Sequence, residues 1–486
     1  MLTLCPVPLV FSGACPPTNV SAKDAAVKPT VVLFEDHTLR HFRPVSWSLP
    51  VTELRVGMFN LRERTELAGG RGALLTRPYL APLHTCADWS INPRQLDAAG
   101  PVLWLNGRCR LSVTLLEDLL QGLPGTPPFV HGDEHGPLVA WLEAADSAAA
   151  LASWWRWAAG QADREHPAAW EGLQPHGTCP WDISALGYLF DVVPATAATL
   201  RDDALFLRQG RPWRRSPFGL FPAENAAKPV WALQTSLRPA GEHPEHAGRF
   251  PAQDPGQGRK QGQDRKQGQG IFLGDDVRLA DGVVLDDSAG PVILDRGVQV
   301  MPFSYLEGPL YVGPGSRVKA GAAIYGESSF GIGNRIAGEI GESTFLDFAN
   351  KQHDGFIGHA VIGSFTNLGA MTTCSDLKNN YGPVRVDLGF GTLDTGLRFV
   401  GLMMGDHAKT AIGTLFNTGT CVGFASNIFG GAMPPKFVPG FSWGGGPQDP
   451  RYDVQRAMAT AEVVLGRRGC RMVPAYREMM VFLAGF

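Results

Sequence analysis

Residues 291–336 read PVILDRGVQVMPFSYLEGPLYVGPGSRVKAGAAIYGESSFGIGNRI. Within this stretch Leu294, Val300, Leu306, Val312, Val318, Ile324, Phe330 and Ile336 recur every sixth position. The register is lost in the 340s. It returns at Phe356, Ile362, Leu368 and Cys374, and again at Met404, Thr410, Phe416, Val422 and Ile428. Two residues before members of the last set stand Ala408, Thr414, Thr420 and Ser426, all small or modest. A period of six fits neither a helix nor a plain strand. It fits a parallel β-helix in which each coil has three six-residue sides, each with one side chain inside. Glycine recurs where corners need unusual backbone angles. Two stretches depart from the repeat, 338–355 and 375–399. Both hold polar groups that a coil does not need, and chemistry is expected at such interruptions or between neighbouring copies.

Upstream, residues 240–270 read AGEHPEHAGRFPAQDPGQGRKQGQDRKQGQG. So few large apolar groups cannot offset the entropy of ordering, which predicts a flexible linker. Before it, Val31–Phe34 and Val102–Leu105 read as buried strands, the second ended by Asn106-Gly107. Residues 54–67 read as an amphipathic helix, and Trp154, Trp155 and Trp157 sit on another. Alternating strands and helices predict an α/β layer fold. The expected order is a disordered leader at 1–28, an α/β domain at 29–239, the linker at 240–270, a β-helix at 271–446 and a helical tail at 447–486. The leader contains Ser12-Gly13-Ala14-Cys15, similar to a lipoprotein cleavage site, but Pro6 and Pro8 break its apolar run.

Composition narrows the function classes. The chain has 486 residues and a net charge of −3, so no strong basic field exists to hold nucleic acid or an anionic membrane. Its 59 glycines and 38 prolines form about a fifth of the chain, against roughly 12% on average, which disfavours a mostly helical protein. Eight scattered cysteines with no CxxC pairing fit a reduced cytoplasm. No apolar run approaches the ~20 residues of a membrane helix.

The interruptions carry Asn350-Lys351-Gln352-His353-Asp354-Gly355 and Asp376-Leu377-Lys378-Asn379-Asn380-Tyr381-Gly382. After His353 come Phe356-Ile357-Gly358, Ile362-Gly363 and Thr373-Cys374. This pattern resembles the acetyltransferase domain of the bifunctional UDP-N-acetylglucosamine pyrophosphorylase/glucosamine-1-phosphate N-acetyltransferase family, whose left-handed β-helix has a His before an apolar-Gly pair and then Thr-Cys-Asn-Tyr-Asp-Gly. Here Asn380-Tyr381 arrives five residues late. The resemblance implies that His353 is the general base that takes a proton from the substrate amine. Arg335, Lys351, Lys378, Asn380 and Tyr381 are then candidates to hold the sugar phosphate. Acetyl-CoA is expected along residues 405–431, with Thr418, Ala425 and Ser426 small enough to admit its arm and Lys436 just beyond. His359 and His407 are rival histidines expected at solvent-facing corners.

The N-terminal half resembles a less familiar branch of sugar-nucleotidyltransferases. The residues are Val32-Leu33-Phe34-Glu35-Asp36, Arg43-Pro44-Val45, residues 49–57 (LPVTELRVG), Leu61-Arg62-Glu63-Arg64, Asn106-Gly107-Arg108 and Trp181-Asp182. The resemblance implies a nucleoside triphosphate with Mg²⁺, and Glu53, Arg55, Arg62 and Asn106 as nucleotide-binding candidates. Two features depart from the family. Better-known members have a Gly-rich loop after the first strand, where this chain has Phe34-Glu35-Asp36; the Gly69-Gly70 stretch reads as a helix end. Asn106 stands where a metal-binding Asp is expected, which leaves Asp36 and Asp182 as metal candidates. The function this implies is a two-site transferase that acetylates an amino-sugar 1-phosphate and couples it to a nucleotide. The alternatives are an acetyltransferase with a degenerate nucleotidyl domain, or a non-enzymatic β-helix scaffold. A cytoplasmic homotrimer is expected, with Phe365 and Phe390 as large residues covered by another subunit.

Overall fold

In the computed structural model the described residues are 29–84, 89–98, 100–160, 177–210, 237–239 (backbone only), 270–446 and 448–485. The leader at 1–28 and nearly all of the 240–270 segment lie outside them. The N-terminal domain is a six-stranded sheet in the order β3-β2-β1-β4-β7-β6. Its strands are β1 (Thr30–Phe34), β2 (Gly72–Leu75), β3 (Trp89–Ile91), β4 (Val102–Asn106), β6 (Phe129–Asp133) and β7 (Gly136–Leu142). A two-residue β5 (Cys109–Arg110) pairs with β8 (Ser184–Ala185) outside it. Strands β1 to β4 are parallel, and β7 and β6 close one edge in antiparallel fashion. Residues 31–34 and 102–105 are at most 2% exposed, the continuous burial of strands covered on both faces. Val31, Leu33, Leu103 and Leu105 face α2 (Val113–Gly122) and α4 (Val192–Leu207), while Val32, Phe34, Val102 and Trp104 face α3 (Ala144–Ala159).

One expected helix is shorter than its apolar pattern. Only Leu61–Leu67 (α1) is helical, not 54–67. Gly57 takes a left-handed backbone (φ +72°), and Asn60 caps the helix by accepting from the Glu63 N–H at 2.8 Å, while Glu63 accepts from the Asn60 N–H at 3.1 Å. A capping box fixes a start at that point whatever the apolar periodicity upstream.

From Ile271 onward the chain winds into a parallel β-helix, the fold class expected. Val292 pairs with Leu310, Leu310 with Ser328, and Met403 with Cys421, eighteen residues per coil. Leu294, Val300, Leu306, Val312, Val318, Ile324, Phe330 and Ile336 all sit inside, at most 2% exposed. The first expected interruption proves to be a shortened coil. Ser329 pairs with Thr344, only fifteen residues on, so strands continue at Glu339–Gly341, Thr344–Phe345 and Asn350–Lys351. The lost residues shift the register, so Ile357 rather than Phe356 enters the core. The second interruption is a true excursion: Val361 pairs with Met403, and between them Arg385–Asp387 and Thr392–Asp394 form an antiparallel hairpin.

One side of the β-helix packs on the N-terminal domain. Along it Leu294, Val312 and Phe330 point into the coil, while Ile293, Tyr311, Val361, Met403 and Cys421 join the N-terminal cores. Ser329 Oγ donates to the Gly57 carbonyl at 2.7 Å, and Ser48 Oγ donates to Asp406 Oδ2 at 2.8 Å. The tail forms α5 (Val454–Gly466) and α6 (Pro474–Ala484), which cover a corner built by Phe348, Phe365, His407, Ala425 and Phe441. Phe348 stacks on Phe365 and Phe365 on His407, each at 5.1 Å. Phe365 is therefore 3% exposed and Phe390 packs on the N-terminal domain; the chain's own parts, not another subunit, cover both. His407 is not at a solvent-facing corner either. It is 1% exposed and shares a 2.9 Å hydrogen bond with Tyr476. Among the described residues no helix is long and apolar enough to cross a membrane.

Candidate functional site

The sheet order reverses between β1 and β4: β2 and β3 lie to one side, β4 and β7 to the other. In open α/β sheets the crevice outside the carboxyl ends of strands at such a point is where ligands bind. Residues 35–42 leave β1 here and Asn106 ends β4. Asp36 caps the 3-10 turn His37–Phe42 by accepting from the Thr38 N–H at 2.9 Å, and Asn106 Nδ2 donates to Asp36 Oδ2 at 2.7 Å. The structure thus brings together Asp36 and Asn106, two of the expected residues. Beside them Arg108 is paired with Asp133 (2.7 Å), and His41 stacks on Tyr188 at 4.4 Å. Burial foremost, with His135, Arg40 and His37 nearby, pushes the His41 pKa down to about 4 against a bond to the Gly187 carbonyl.

The remaining N-terminal candidates lie elsewhere. Glu53, Arg55 and Arg62 are 5%, 5% and 2% exposed. Arg62 Nε donates to Glu53 Oε1 (2.6 Å), and Arg55 donates to the Met58 carbonyl (2.6 Å) and faces Asp347 (3.4 Å). Buried and bonded to one another, to the Met58 carbonyl and to Asp347, they hold the fold together, so the structure gives them a packing role instead of an open face for a nucleotide. Asp182 is exposed and no contact joins it to Asp36 among the described residues. Nor do three His, Cys, Asp or Glu side chains converge there on a point that would hold a metal ion. Both Asp36 oxygens already accept hydrogen bonds. The donor set does not fit a Mg²⁺ held by the protein alone; Asp36 could add one oxygen to an ion carried by a triphosphate.

On the β-helix, Lys351 occupies an interior position beside Ile336 and is fully buried. Its ammonium donates to the main-chain carbonyls of His353 and of Asp354 (3.1 Å). Burial pushes its pKa down to about 8. Lys351 therefore pins the turn that carries His353 rather than facing a ligand. Gly338 lies under the same turn. Its φ is +77°, and a Cβ there would meet the Gly355 and His353 carbonyl oxygens at 2.9 Å. His353 itself is exposed. The same corner, followed along the coils, exposes Phe303 (77%), Met371 (57%) and Ile412 (80%), with Phe429 and Leu415 adjacent.

His359 sits at the other end of strand Phe356–Gly358. Its Nδ1 lies 2.8 Å from Asp376 Oδ2 and 3.5 Å from Glu342 Oε2, and its ring stacks on Phe399 at 4.8 Å. Such an oriented imidazole had no signal in sequence, because Asp376 and Phe399 reach it from the two ends of the excursion. Lys378 donates to the Pro383 carbonyl, Asn380 Oδ1 accepts from the Gly382 N–H (3.1 Å), and Tyr381 is exposed; this group turns on itself. Arg335 donates to the carbonyls of Gly315 (3.0 Å) and Asn334 (3.1 Å). Burial, then Arg317, lowers its pKa; burial, then Arg335 and Arg467, lowers that of Arg468 to about 10. The tail thus adds a cation next to Arg335. Thr418, Ala425 and Ser426 are at most 3% exposed. Ser426 bonds the Pro439 carbonyl (2.7 Å), and Ala425 lies under the tail helices. Their side chains are already covered, contrary to an open lane for a pantetheine arm. Lys436 donates to Thr418, at 3.0 Å for the hydroxyl.

Residues 31–212 match the sugar nucleotidyl transferase family. The resemblance read from the N-terminal residues therefore holds for the domain that contains the crevice. The chain is also similar to a bifunctional sugar-1-phosphate nucleotidylyltransferase/acetyltransferase of Sulfurisphaera tokodaii, 27% identical over 155 residues. That match covers 31% of this chain and 38% of the relative.

Proposed function

We propose that the chain is a two-site transferase: it acetylates an amino-sugar 1-phosphate on the β-helix and couples a sugar 1-phosphate to a nucleoside triphosphate at the crevice between β1 and β4. One observation carries the acyl-transfer half. A buried ammonium, unfavourable in itself, fixes the turn that presents His353 on an exposed apolar corner. The corner suits a site completed by a second copy of the chain, and the proposed assembly is a homotrimer. His353 accepts the proton that the amine sheds as its bond to the thioester carbonyl forms; the thiolate leaves with a proton. The nucleotidyl half rests on the family match and the position of the crevice. His359, oriented by Asp376, is the second reading for the base.

The test is incubation of the full chain with glucosamine 1-phosphate, acetyl-CoA, UTP or dTTP and Mg²⁺, following free thiol and pyrophosphate separately. Release of both is expected. Thiol alone would reduce the N-terminal domain to a scaffold, and neither product would refute the reading. His353→Ala should lower thiol release by ~10²–10⁴-fold and leave pyrophosphate release intact. A collapse in His359→Ala with a near-normal His353→Ala would move the base to His359.

A further inference from the structure

Residues 375–399 leave the β-helix and return, and their ends and tip reach different places. The ends close on His359: Asp376 bonds its Nδ1 at 2.8 Å and Phe399 stacks on its ring. The tip, between Arg385–Asp387 and Thr392–Asp394, arrives at the segment that leaves the carboxyl end of β1 in the other domain. There the Phe390 ring lies 6.0 Å from His41, and the Arg40 guanidinium sits 5.5 Å from its centroid. Packing makes this contact part of the fold. Val384, Val386, Leu388 and Val400 are at most 2% exposed, in one core with Val32, Phe34 and Phe42.

Arg40 has no carboxylate partner among the described residues, and its buried Nε has no hydrogen bond. It stands on the segment that leaves β1 at the sheet's switch point, next in sequence to His41, whose ring stacks on Tyr188. A guanidinium without a counter-ion receives a phosphate oxygen, and an aromatic ring over it fixes its plane. We propose that residues 375–399 supply a wall of the nucleotide site from the β-helix: Phe390 completes the crevice by positioning Arg40 toward a nucleoside triphosphate, while the ends of the same excursion stay anchored on His359 through Asp376 and Phe399. The proposal rests on the two-site reading above and adds that the nucleotide crevice is unfinished without the β-helix. Phe390 is a positioning residue, acting through Arg40.

The experiment uses the full chain with UTP or dTTP and Mg²⁺, read by amide hydrogen exchange and by pyrophosphate release. The triphosphate should slow exchange both in residues 34–43 and in residues 384–394. Phe390→Leu should raise KM for the triphosphate about tenfold, the scale of one such contact, with kcat and thiol release unchanged. If Phe390→Ala fails to fold, the leucine variant and the wild-type exchange pattern still decide. Protection of 34–43 without 384–394, together with an unmoved KM, would overturn the proposed wall. Protection of neither segment by either triphosphate would overturn the two-site reading and this inference with it.

Discussion

Replacing Lys351 by Met should make the protein more stable and less active. The ammonium is fully buried and its pKa is held near 8 instead of 10.5. At about 1.4 kcal/mol per unit this is about 3 kcal/mol against the charged form, or about 2 kcal/mol after allowance for solvent screening. Methionine fills similar volume beside Ile336 without a charge. Urea unfolding at pH 7 should therefore show a gain of about 2 kcal/mol, or about 4–8 °C in Tm. The pH dependence provides a sign. The folded state sheds this proton near pH 8 while the unfolded chain keeps it to 10.5, so wild-type stability rises between those values. The Met variant loses that share; Lys409, also lowered to about 8, keeps its own. Without the ammonium the His353 and Asp354 carbonyls lose their anchor, and thiol release should fall about 10–100-fold. A variant that is less stable, or equally active, would refute the argument that Lys351 trades stability for the placement of His353.

Asp203→Ala leaves the buried Arg64 without its paired carboxylate (3.0 Å) and should cost about 3–5 kcal/mol in urea unfolding. Gly338→Ala, at φ +77° under the His353 turn, should destabilise by about 1–2 kcal/mol and lower thiol release, with pyrophosphate release kept as the internal control. Ile412→Asp, on the exposed apolar corner, should give monomers in sedimentation and abolish thiol release only; persistent trimers would place the interface elsewhere. Asp406, raised by burial to about 6 from 3.8, binds its proton more tightly when folded. Stability should thus fall as pH rises from about 4 to about 6, a slope that Asp406→Asn removes.

The coil register was legible because one side chain in six must enter a narrow interior. The shortening at residues 338–355 was not, since strands of two or three residues tolerate deletions that leave no mark in composition. Burial of Arg55, Arg62 and Arg64 was hidden for another reason. Arg64 pairs with Asp203, 139 residues away, and Arg55 with Asp347, 292 away, so charges that look solvated find partners only in the fold. The same distance in sequence concealed the His359–Asp376–Phe399 arrangement. One signal was present and unread: Val292-Ile293-Leu294 and Leu310-Tyr311-Val312 are apolar at every position. A side with solvent beyond it would alternate; three in a row mean that both faces are covered.

That doubly apolar side has a consequence for ancestry. Ile293, Tyr311, Val361 and Met403 belong to the N-terminal cores as much as to the coil, so the halves of this chain are not interchangeable parts. A recombinant that joined its first half to the β-helix of a distant relative would set α4 against residues selected for another neighbour. Successive substitutions on one side would have to be answered on the other, and the pair would descend as a single heritable unit even where each half carried its own chemistry.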